Sequence, residues 1–131
     1  MMQFTGVKEM GLDLFAEYFT THLHITALVY DNRCFGASDG TPRYEIIPSL
    51  QCSDIQDAIT FVQTLSDVDP EKIAIWGSSY SGANVLQVAA VDKRVKAVLS
   101  QVPMISGIEI KNRLIGPIKW AQYLPLFAAG I

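Results

Sequence analysis

Apolar positions recur at helical spacing from Met10 to Thr21, where Leu12, Phe15, Ala16 and Phe19 share one face and Asp13, Glu17 and Thr20 lie away from it. That spacing predicts a first amphipathic helix. Ile25 to Tyr30 is by contrast an almost unbroken apolar run closed by Asp31, which predicts a strand buried on both faces of a parallel sheet. Asp31 to Pro42 then gathers Asn32, Gly36, Asp39, Gly40 and Pro42, residues that punctuate structure and predict a loop. Helical spacing returns from about Ser53 to Leu65 through Ile55, Ile59, Val62 and Leu65, with Ser53 or Asp54 expected to cap the start. Asp69-Pro70-Glu71 predicts a turn, Ile73 to Trp76 a short buried strand, and Gly77 to Gly82 a tight polar turn leading into a helix through about Ala90. A last buried strand is expected from Val95 to Ser100, ahead of Pro103 and an irregular stretch.

Helix, strand, helix, strand, helix, strand is an order that needs crossover connections, so the predicted class is α/β with a parallel sheet. No internal repeat and no linker composition interrupts it, which makes residues 1–131 a single domain. Half of the 131 residues are hydrophobic, enough for a core and incompatible with a disordered or fibrous chain. The formal charge of −3, with no basic run, gives no reason to expect nucleic acid or an anionic membrane surface as a partner. Leu114 to Ile131 is apolar, but Pro117, Lys119 and Pro125 break it, and about 20 apolar residues are needed to span a bilayer. A buried or lid-forming segment is the expectation there. Cys34 and Cys52 are too few for a disulfide framework and not spaced as metal ligands. With no signal-peptide pattern in Met1 to Leu14, reduced thiols and a cytoplasmic setting are expected.

The chemistry concentrates in Gly77-Ser78-Ser79-Tyr80-Ser81-Gly82, at a predicted handover from strand to helix. That context is the one a nucleophile elbow requires, because Ser79 must project from a sharp, strained turn. Residues two before and two after it must then be small, which Gly77 and Ser81 satisfy. The Tyr80 backbone N–H and the following helix N-terminus face the place where an oxyanion would form. The exact Gly-x-Ser-x-Gly pattern occurs elsewhere, at Gly36-Ala37-Ser38-Asp39-Gly40, but that stretch, though it follows a predicted strand, leads into Thr41-Pro42-Arg43 and not directly into a helix. Ser79 is therefore the expected nucleophile and Ser38 a decoy. A turn that binds phosphate through backbone N–H groups is the competing reading of Gly77–Gly82, although neither Gly-x-Gly-x-x-Gly nor the P-loop pattern is present.

Phe4-Thr5-Gly6-Val7-Lys8-Glu9, Asp31-Asn32-Arg33 with Gly36 to Arg43, and Ile75 to Gly82 together resemble one branch of the α/β-hydrolase superfamily. That branch holds fungal polyketide transferases and dienelactone-hydrolase-like and Xaa-Pro dipeptidyl-peptidase-like proteins. The resemblance covers nearly the whole chain and implies a partial α/β-hydrolase fold, with N-terminal strands and the C-terminal half missing. It implies that the Phe4 N–H supplies the second oxyanion donor, that a strand before Phe-Thr-Gly is lacking between Ile25–Tyr30 and Ile73–Trp76, and that residues from about 104 to 131 begin a lid. Self-association through the incomplete sheet is then an open expectation. Arg33 and Asp39 are expected to hold their loop more than to touch substrate.

The triad order on this fold is serine, acid, histidine, yet the only histidines, His22 and His24, both precede Ser79. Both are expected at the end of the sheet opposite the elbow, and neither Asp92 nor Glu109 is placed as the acid. A serine hydroxyl without an adjacent base is a poor nucleophile, so the chain alone is expected to be nearly inactive. Two readings follow. One is a serine-nucleophile hydrolase or acyltransferase sequence cut at both ends, acting on an ester, thioester or amide of a small acyl substrate, with no cofactor and no metal implied. The other is a non-catalytic remnant that acts, if at all, by binding.

Overall fold

The computed structural model describes residues 6–109 and 111–113. Along them run α1 (Leu12–Leu23), α2 (Pro48–Val62), β1 (Ile73–Ser78), α3 (Tyr80–Val91) and β2 (Val95–Gln101). β1 and β2 pair in parallel from Ile73↔Val95 to Ser78↔Gln101, with α3 as the crossover between them. The α/β class expected from the pattern is the class observed.

Side chains on a strand alternate between faces, and β1 uses both. Ile73 and Ile75 meet a core built by Cys52, Ile55 and Ile59 of α2 with Val85 and Val88 of α3. Trp76 turns the other way and packs on α1, its ring 5.1 Å from Phe15 and 5.2 Å from Phe19. Helices thus cover both faces of β1. Cys34 and Cys52 are buried free thiols, and no helix among the described residues is long and apolar enough to cross a membrane.

Three expectations need correction. Ile25–Tyr30, predicted as a buried strand, joins no ladder among the described residues, and Ile25 and Leu28 are 49% and 40% exposed. An apolar run signals burial, but a strand needs a hydrogen-bonding neighbour as well. Here a cavity of about 700 Å³ separates this segment from β1, with Ala27 and Val29 on one side, Ile73 and Ile75 on the other, and Phe19 and Ile59 from the helices. β2, also predicted as buried, is largely exposed at Val98 and Leu99, because nothing among the described residues covers that part of it.

The third correction concerns the start of α2. It begins at Pro48, not near Ser53, with Ile47 as N-cap and no side-chain cap. Proline's fixed φ and missing N–H suit the first helical turn, where no carbonyl is available to bond. Asp54, expected as a possible cap, lies inside the helix and serves another purpose.

Candidate active site

The turn between β1 and α3 is built by close approach. A Cβ on Gly77 would strike the Ser81 carbonyl oxygen and come within 2.6 Å of its carbon, so no larger residue fits. Ser81 and Gly82 are themselves buried, and a Cβ on Gly82 would stand 3.1 Å from both the Gln101 oxygen and the Pro103 Cα. Space is thus restricted on both sides of Ser79.

Ser79 occupies φ 56°, ψ −118°, a conformation that L-residues rarely adopt. It persists because neighbours hold it. The Ser79 N–H donates to the Gln101 carbonyl at 2.9 Å, and its carbonyl accepts from the Met104 N–H at 2.9 Å. The Ser100 hydroxyl adds a third tie by donating to the Gly82 carbonyl at 2.9 Å. Ser79 is the N-cap of α3 yet makes no side-chain capping bond. Its hydroxyl is uncommitted among the described residues, at the positive end of a helix of 12 residues.

Tyr80, which follows it, is buried, and its phenol donates to Gln51 Oε1 at 2.6 Å. Burial pushes the Tyr80 phenol above its ordinary range, outweighing a hydrogen bond from Asn84. Gln51, Ser100, Gln101 and Met104 were not singled out from the sequence. Their contributions are one buried amide and a set of bonds at the end of a strand, none of which leaves a motif.

Ser38 is differently engaged. Its hydroxyl donates to the Asp31 carbonyl at 2.6 Å, and no helix follows it. The Asp31 carboxylate is almost fully buried and receives the Lys8 N–H at 2.7 Å, the Lys8 ammonium at 2.7 Å and the Ala37 N–H at 3.0 Å. Burial alone would push this carboxyl up; the bonds from Lys8 and Ala37 outweigh it and hold it below its ordinary range. Arg33 donates from Nε to Asp54 Oδ1 at 2.7 Å, tying the same loop to α2, while the Asp39 carbonyl accepts from the Cys34 N–H at 2.8 Å. The Arg33 side chain thus helps hold the loop, whereas Asp39 contributes its backbone carbonyl.

The remaining candidates lie elsewhere. Phe4 and most of the expected lid, residues 114–131, are outside the described residues. His22 is exposed on the last turn of α1, 2.8 Å from the Tyr18 carbonyl, and His24 caps that helix. No hydrogen bond joins either to Ser79 among the described residues. Asp92 is bound to Arg94 at the far end of α3, and the Arg94 guanidinium holds its carboxyl below the usual range. The large cavity beside β1 reaches Ser81 and Asn84 but is not lined by Ser79.

Several known proteins are similar to this chain in sequence and fold. A family model described as X-Pro dipeptidyl-peptidase (S15 family) matches residues 25–125. A thiohydrolase from Arthrinium phaeospermum is 53% identical over 102 residues, covering 78% of this chain and 32% of the relative. A polyketide transferase from Penicillium crustosum is 43% identical over 101 residues, covering 77% of this chain and 32% of the relative. The solved structure of an α/β hydrolase, GrgF, from Penicillium sp. sh18 superimposes with a TM-score of 0.76 at 35% identity, covering 92% of this chain and 41% of that one. The fold is that of an α/β hydrolase in part, and the chain spans about a third of the length of the curated relatives it matches.

Proposed function

This chain belongs to the X-Pro dipeptidyl-peptidase (S15) family, and from that membership we propose that Ser79 is the nucleophile of a hydrolase or acyltransferase acting on a small acyl compound. The observation that carries the reading is Ser79 itself: a strained residue at a strand-to-helix turn, its backbone bonded on both sides and its hydroxyl uncommitted among the described residues. Strain of this kind costs on the order of 1–3 kcal/mol and persists only where the surroundings over-determine it.

In the proposed reaction Ser79 Oγ attacks the carbonyl carbon of an ester, thioester or amide and loses its proton to a base. The Tyr80 N–H donates to the oxyanion, with Phe4 as the second donor that the family resemblance implies. Collapse of the tetrahedral species expels the alcohol, thiol or amine and leaves an acyl-serine. Water or another nucleophile then takes the acyl group, which separates a hydrolase from a transferase. Neither histidine follows Ser79, so the base is proposed to come from outside these 131 residues, and the chain by itself is proposed to turn over slowly at most.

Incubation with p-nitrophenyl acetate, followed by intact and peptide mass measurement, tests this. Slow addition of one acetyl group, confined to Ser79, is the expected result, since neither attack nor removal is assisted by a histidine after Ser79 in these 131 residues. The alternative is a non-catalytic chain that acts by binding. Acetylation spread over surface lysines with none on Ser79 would favour that alternative.

A further inference from the structure

We infer that Gln51 is a positioning residue for the elbow, setting the direction of the Tyr80 N–H through the Tyr80 side chain; this rests on the proposed roles of Ser79 and Tyr80. The peptide joining Ser79 to Tyr80 is planar, so its C=O and N–H point in opposite directions. Its carbonyl is taken by the Met104 N–H at 2.9 Å, which directs the Tyr80 N–H away from the end of β2. One end of that peptide plane is thereby fixed.

The other end is the Tyr80 Cα, and its side chain is held from α2. The phenol donates to Gln51 Oε1 at 2.6 Å, with Tyr80 6% and Gln51 1% exposed. Gln51 sits on the first turn of α2 in the same stripe as Ile55 and Ile59, at a spacing where the helix otherwise presents apolar side chains to the core. Its Nε2 has no partner among the described residues. Leucine or methionine would fill similar volume without burying an amide that is costly to desolvate. The glutamine is therefore poorly explained by packing alone and well explained by the direction its oxygen imposes on the phenol. α2 in turn is anchored to α3 by Cys52, Ile55 and Ile59 against Val85 and Val88, so the tether ends on a rigid part of the molecule.

The test is amide hydrogen exchange on the chain itself, read at Ser79 and Met104, whose N–H groups make the two bonds of the elbow. In Tyr80→Phe and Gln51→Leu, exchange at both is expected to rise about tenfold, while amides in the second half of α2 keep their protection. Gln51→Glu retains an acceptor and is expected to preserve the wild-type pattern at neutral pH. Unchanged exchange in Tyr80→Phe would overturn the inference. So would a uniform loss of protection across α2, α3 and β1, which is what a general packing role predicts. The acylation rate at Ser79, expected to fall about tenfold in Tyr80→Phe, separates the two proposals. Wild-type protection at the elbow without acylation would remove the nucleophile and leave the tether, whereas acylation undiminished in Tyr80→Phe would remove the tether and leave the nucleophile.

Discussion

The elbow continues the end of β1, the segment Ile25–Tyr30 faces the same strand across a cavity, and the two could hardly be held more differently. Gly77–Gly82 is enclosed: Gly77 has no room for a Cβ and Gly82 little, and backbone bonds with Gln101 and Met104 hold Ser79 in a strained conformation. Ile25–Tyr30 is more apolar in sequence, yet it is partly exposed and faces β1 across an open cavity, bonded to no other described residue. Hydrophobicity alone does not order a segment. Enclosure by hydrogen bonds and close contacts does, and here it surrounds the proposed chemistry.

Substitutions should divide along that line. Gly77→Ala forces a Cβ into the Ser81 carbonyl and should lower the unfolding free energy by roughly 3 kcal/mol, seen as a drop in the urea midpoint. Val88→Ala, at a position 1% exposed between α3 and α2, should cost about 2 kcal/mol by the same measurement.

Acid should act through the loop and the far end of α3. Asp31 and Asp92 both have carboxyls held below their ordinary range in the folded chain, Asp31 against its own burial through Lys8 and Ala37 and Asp92 through Arg94. A depressed folded pKa means that the stabilisation is fully present above the unfolded carboxylate value, about 4, and is lost as pH falls through the folded one. Urea midpoints should hold above pH 5 and decline below 4, and Asp31→Asn should flatten that decline.

Ser79→Gly removes the Cβ from a strained backbone and should raise stability by about 1 kcal/mol while ending all reaction at that position. A gain of stability on losing the proposed nucleophile is the mark of a conformation maintained for use. The smallest effect is expected across the cavity from β1, where Leu28→Thr, at a site already 40% exposed, should change stability by under about 0.5 kcal/mol. A large cost there would contradict the contrast between the two regions.

Much of this was legible from the residues. The period of apolar positions located three helices and the two paired strands, and the strand-to-helix context separated Ser79 from the better motif match at Ser38. In the structure the Ser38 hydroxyl donates to the Asp31 carbonyl, and no helix follows it. What the pattern did not reveal depends on partners distant in sequence. Ile25–Tyr30 reads as a strand because its side chains are apolar, but pairing is decided by the neighbouring backbone. α2 starts earlier than expected because the search was for a capping side chain, while the usable signal was Pro48. Gln51 left no trace, since one glutamine in a first turn means nothing until Tyr80 is placed beside it.

The central claim, that the enclosed turn presents Ser79 as a nucleophile, is tested most directly by a fluorophosphonate probe with the labelled residue mapped by peptide mass spectrometry. Phosphonylation confined to Ser79, absent from Ser79→Gly and unaffected by Ser38→Ala, is the predicted result. Labelling at Ser38, or none at Ser79 in a chain whose elbow amides are protected from exchange, would contradict it.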